Sequence, residues 1–199
     1  MSRFEAALAA FDRANAEDPE RVLVAGVARP KQLVHAERLS AWVLRLDPQA
    51  PEAARLAARC QHLRRFEHPR SEFPEGRVGY LKWRTALGRF HAAAAREILE
   101  RVGYDTETIE EVARINQKQG LRGPTNTQLI EDALCLVFLE YELRDFVAKH
   151  PRGKVLEVLS KTWKKMSSNG QAYAQSLALP NELAELVAEA LTPLAAPDR

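Results

Sequence analysis

Asn126-Thr127-Gln128-Leu129-Ile130-Glu131-Asp132-Ala133-Leu134-Cys135-Leu136-Val137-Phe138-Leu139 decides the fold class. Apolar side chains fall at nearly every helical offset, so the stretch reads as a helix that runs through the protein's centre. Thr125 or Asn126 is its expected cap, after the turn Gly123-Pro124-Thr125-Asn126. The helix should reach about Lys149, where His150-Pro151 breaks it. Elsewhere, nearly every periodic segment repeats apolar residues at three and four, and strand-like alternation is almost absent. The predicted fold class is all-α: a single-domain helical bundle over residues 1–192, with a frayed tail over 193–199.

Working outward, Ser2 and Glu5 form a capping box for a helix over 4–16. The valine-rich stretch 21–27 reads as a turn or a brief strand. Pro30 suits the first turn of the next helix, which carries Leu33, Val34, Leu39, Trp42, Val43 and Leu46 and stops at Asp47-Pro48. Pro51 opens a third helix to about Phe66. Residues 67–79 read as a long loop, and 80–102 as a long helix ended by Gly103. Asp105 caps a helix over 106–117, ended by Gly120. Two terminal helices, 154–166 and 181–191, are expected around a polar turn at Ser167-Ser168-Asn169-Gly170.

The 199 residues, 46% hydrophobic and 28% charged, describe an ordinary globular protein with a core of useful size. A formal charge of +2 is too mild to point to nucleic acid. No CxxC occurs, so Cys60 and Cys135 read as small buried hydrophobes rather than a redox or zinc module. With neither a signal peptide nor a membrane-length apolar run, the expected location is cytoplasmic and no membrane partner is expected.

Histidine is scarce, five in the chain, yet His35, His62 and His91 all sit on apolar helical segments, as does Asp132. Imidazole and carboxylate are ligands for a first-row transition metal, so a helical metal site is the leading expectation. Each residue also has a plain structural alternative. His35 can be an interior imidazole tied to a carbonyl, His62 a cap on helix-end carbonyls and His91 a packed support. Asp132 can be an ion-pair partner of Arg38 or Arg84.

The order of these residues resembles the HD superfamily of helical metal-dependent phosphohydrolases. In Leu33-Val34-His35-Ala36-Glu37-Arg38, His35 matches that family's first histidine. Asp132 in Asp132-Ala133-Leu134 matches its late aspartate, and His91 lies where many members place a further histidine. The His-Asp doublet departs: Gln61-His62-Leu63-Arg64-Arg65 puts glutamine at the histidine, histidine at the aspartate and Arg65 where lysine is usual. Tyr80-Leu81-Lys82-Trp83-Arg84 and Arg89-Phe90-His91 look like an HD-like family catalogued as a domain of unknown function.

The resemblance implies one divalent transition metal ion (Zn, Mn, Fe or Ni) held by His35, His62 and Asp132, with water at the open position. It further implies that His91 and Arg65 contact a phosphate or the transition state, and that Arg38 and Arg84 orient the substrate. Between Arg59 and His91 lie eight basic residues (Arg59, Arg64, Arg65, Arg70, Arg77, Lys82, Arg84 and Arg89) against three glutamates. Guanidinium forks suit phosphate, and Tyr80 or Trp83 can stack on a base, so the expected partner is a phosphorylated small molecule such as a nucleotide. Two functions follow: a metal-dependent phosphohydrolase, or a catalytically degenerate HD-like ligand-binding or scaffold protein, which Gln61 favours.

Overall fold

The computed structural model describes residues 1–120 and 125–195. The protein is all-α, with one small hairpin among the described residues. Its contacts gather into two compact units, residues 1–130 and 131–199, each taken by itself below.

In the first unit, α1 (Arg3–Ala16) begins at the expected capping box, with Ser2 Oγ accepting from the Glu5 amide and Glu5 accepting from the Ser2 amide. Residues 21–27, left open between turn and strand, form part of an antiparallel hairpin, β1 (Arg21–Val24) and β2 (Val27–Pro30), with Val24 opposite Val27. Its two-residue turn places Ala25 at φ 49° and Gly26 at φ 81°, the left-handed pair that such tight hairpins require. Pro30 precedes α2 (Lys31–Leu46) and offers no capping side chain. Asp18, fully buried, does this from a distance: its carboxylate accepts from the Gln32 amide at 2.9 Å.

The third helix, α3 (Glu52–Cys60), ends well short of Phe66. The chain leaves it through tight turns, with Arg64 in the left-handed region at φ 54°, and the buried Asn15 side chain accepts from the Arg64 amide at 3.1 Å. A helix cannot propagate through that conformation. The expected loop after it contains short 3₁₀ turns at Arg65–Glu67 and Arg70–Glu72, and Arg70 donates to the carbonyls of Phe73 and Pro74. The long helix α4 (Gly76–Arg101) therefore starts earlier than Tyr80. Gly103, at φ 83°, ends it as expected, and Asp105 caps α5 (Thr106–Asn116) by accepting from the Thr108 amide. The α3 helix packs against α1, α2 and α5, with Phe11, Leu39, Trp42, Leu56, Leu63, Leu99 and Val112 in the core.

Helix α6 (Asn126–Val137) is followed by a π-helical turn at Phe138–Glu142 and then by α7 (Leu143–Lys149), so the central apolar run is helical throughout but not one uniform α-helix. The expected turn at 123–126 lies partly outside the described residues; Thr125 Oγ1 accepts from the Gln128 amide. The second unit continues with α8 (Arg152–Lys165), α9 (Ser168–Gln175) and α10 (Asn181–Ala195), α8 packing against α7 and α10. The expected polar turn at 167–170 is instead the start of α9, with Ser167 as its cap. Helix α10 runs past Leu191, and the tail beyond 195 lies outside the described residues.

Buried Gly79 faces the Pro74 carbonyl so closely that an added Cβ would stand 1.8 Å from its oxygen. Gly79→Ala must push the 70–75 loop off α4. Urea unfolding should show a loss of about 1–3 kcal/mol.

Candidate functional site: a histidine cluster

Three segments of the first unit bring their imidazoles together. His35 lies early on α2, His62 in the turns after α3, and His91 midway along α4. The His35 and His62 rings stack at 4.5 Å between centroids with planes 19° apart, and His91 stands 5.8 Å from His62 at a 45° tilt. The sequence led us to expect His35 and His62 at one centre with Asp132, and His91 either among its ligands or on a substrate phosphate.

His91 is 3% exposed, and its Nδ1–H donates to the Leu63 carbonyl at 2.8 Å. That bond fixes the tautomer and leaves Nε2 as a lone pair, buried and without a hydrogen-bond partner among the described residues. Burial holds the His91 pKa down to about 4, against the opposing effect of the Leu63 bond. His62 is held well below the ordinary histidine value, first by desolvation and then by the proximity of His35, Arg65, His91 and Lys118. None of these neighbours is a carboxylate, so the field around His62 opposes positive charge and favours negative charge.

Arg65 is the cation in direct contact. Its guanidinium donates to His62 Nε2 at 3.3 Å and lies 4.9 Å above the Trp83 ring. Trp83 is itself fixed, its indole N–H donating to the His68 carbonyl at 2.9 Å. Trp83 thus orients Arg65. Arg84 and Tyr80 bond one another at 3.2 Å on the exposed side of α4, and Arg38 lies half-buried one turn after His35.

The remaining arginines separate. Arg59 pairs with Asp12, Arg64 with Glu67, and Arg70 holds loop carbonyls, so the basic stretch is not one phosphate-gripping surface. Lys118 and Asn116 enter the picture unannounced by sequence reasoning, beside the expected Gln61. Gln61 and Asn116 are 3% and 2% exposed, and Gln61 Nε2 donates to the Asn116 carbonyl at 3.5 Å. Each keeps a buried carbonyl oxygen without a hydrogen-bond partner among the described residues. Lys118 at φ 58° follows the end of α5, a helix-exit conformation that its sequence does not advertise.

Asp132 belongs to the second unit, where it has a structural task. Its carboxylate accepts from the Ser167 amide at 2.8 Å and from the Ser167 hydroxyl, while Ser167 Oγ caps α9. Gly170 permits the contact, since a Cβ there would come within 2.7 Å of Asp132 Cγ.

The ligand set expected from the sequence is divided between the two units, with His35 and His62 in the first and Asp132 in the second. His62 Nε2 already accepts from Arg65, and both Asp132 oxygens accept from Ser167. Among the described residues, no group of three His, Cys, Asp or Glu side chains is disposed to hold a metal.

The fold and site define a helical protein whose first unit carries a partly buried, electropositive histidine cluster, and no helix of the described residues is long and apolar enough to cross a membrane. Residues 5–187 match the family described as a domain of unknown function, DUF4202, and the chain belongs to that family. Neither the curated proteins nor the solved structures returned a match.

His91 takes up its proton near pH 6.5 when unfolded and near 4 when folded, so stability is full above pH 7 and falls as pH drops from 6.5 towards 4. His91 alone should account for about 3 kcal/mol across that window, and His91→Gln should flatten the urea-unfolding profile there by about one proton. Separately, Asp132→Ala should cost about 1–3 kcal/mol in metal-free buffer through the lost Ser167 bonds, read from the urea midpoint.

Proposed function

We propose that this protein is an HD-type ligand-binding module that takes the phosphate of a small molecule, such as a nucleotide, at the His35–His62–His91 cluster. On this reading it is a catalytically degenerate relative of the helical phosphohydrolases, with Gln61 and His62 standing where those enzymes carry their His-Asp doublet. The observation that carries the reading is the Arg65 guanidinium on His62 Nε2, beside two stacked imidazoles and with no carboxylate among the groups that shift His62. An anion is what such a field attracts. Arg65 supplies forked donors, Trp83 holds it in place, and His62 becomes a second donor once negative charge raises its proton affinity.

Gln61 supports loss of the hydrolytic centre. It is a neutral amide directed to the Asn116 carbonyl and brings none of the charge a metal would need. Calorimetry with AMP and with inorganic phosphate, in the presence of a chelator, tests the reading. Saturable AMP binding is expected without turnover, and Arg65→Ala should weaken it about ten- to a hundredfold, the worth of a hydrogen bond to a charged group. Absence of binding, or binding indifferent to Arg65→Ala, defeats the proposal.

A second reading, the metal-dependent phosphohydrolase, keeps one favourable observation. His91 donates through Nδ1 to a carbonyl and leaves Nε2 buried and unbonded, as metal-bound imidazoles are oriented. Stoichiometric transition metal in untagged protein, together with hydrolysis of a phosphoester, would select it over the binding module.

A further inference from the structure

On the first half of α4, Val78, Leu81, Lys82, Thr85, Ala86 and Arg89 line one open groove of about 440 Å³. The spacing is that of a single helical stripe, three and four residues apart. Such a stripe normally packs against the core, yet Val78 is 68% and Leu81 52% exposed. The groove's cations are equally unengaged. Lys82 and Arg89, and Arg77 on the neighbouring ridge, have no carboxylate partner among the described residues, whereas Arg29, Arg59, Arg64, Arg96 and Arg114 of the same unit each have one. No acidic residue occurs from Gly76 to Arg96.

We propose that this groove is a docking surface for an acidic amphipathic helix of a partner protein. The apolar residues of that helix would fill the recess over Val78, Leu81 and Ala86. Its carboxylates would meet Lys82 and Arg89, which are seven residues apart and so about 10 Å apart along the axis, two turns of the incoming helix. Arg77 and Arg84 repeat the same interval beside them and draw the same sign of charge. A second copy of α4 is disfavoured because like charges would face each other. RNA would need a stacking face, but the groove lining is aliphatic and the Trp83 ring lies beneath Arg65. A flat lipid surface would leave the recess unfilled.

The probe is a fluorescent synthetic helix with leucines on one face and glutamates on the rest, compared by anisotropy with the same helix carrying lysines. The full-length protein should bind the acidic helix and not the basic one. Because Lys82 and Arg89 are exposed, the double variant Lys82→Glu/Arg89→Glu should fold normally by circular dichroism. It should weaken acidic-helix binding about tenfold or more and gain binding of the basic helix. Leu81→Asp should weaken the acidic helix while leaving AMP binding unchanged, which separates this surface from the histidine cluster. The proposal is overturned if neither helix binds or both bind alike. It is also overturned if the charge-reversed double variant keeps its preference for glutamate, or if phosphatidylglycerol vesicles or polyuridylate occupy the groove in place of the peptide.

Discussion

Withdrawing imidazoles from water while the charges that act on them are positive is the constraint on which the candidate site depends. A charged His62 or His91 would face desolvation on one side and Arg65 on the other. Both are therefore held neutral, and a neutral imidazole presents one N–H and one lone pair. For His91 the Leu63 carbonyl takes the N–H, and for His62 the Arg65 guanidinium takes the lone pair. These two bonds orient the rings.

The turn after α3 makes that arrangement possible. Leu63 is fully buried and lends its carbonyl to His91, while Arg64 turns the chain in a left-handed conformation held by the Asn15 side chain. Continuing α3 to Phe66 would return the Leu63 carbonyl to its own helix and remove the acceptor from His91. The early end of α3 thus belongs to the site as much as to the fold. The loop leading to α4 shares the task, since the His68 carbonyl holds Trp83 and Trp83 holds Arg65.

Elements with local signatures were legible in the sequence. The Ser2–Glu5 capping box, Pro30, Gly103 and Asp105 mark their helix ends through interactions a few residues long, and the structure keeps each of them. What escaped was set by distant contacts. Asn15 stops α3 from 49 residues away, and Ser167 starts a helix because Asp132 holds it across 35. The hairpin turns on an alanine at positive φ, a position where sequence patterns lead one to expect glycine or asparagine. In the site, the three histidines were legible as scarce residues on apolar helical faces. For Asp132 the sequence showed a buried carboxylate in need of donors but not which ones, and its Ser167 partner lies 35 residues away. Lys118 and Asn116 carried no signal, since each looks like an ordinary residue at the end of α5.

The most direct measurement is the pH titration of His62 and His91 by long-range proton–nitrogen NMR, in the free protein and with AMP. The account predicts that both stay neutral well below pH 6.5 in the free protein, with His91 as the Nδ1–H tautomer, and that AMP raises the His62 pKa. A His62 that titrates at or above 6.5 in the free protein, or that is unmoved by AMP yet shifted by stoichiometric zinc, would contradict it.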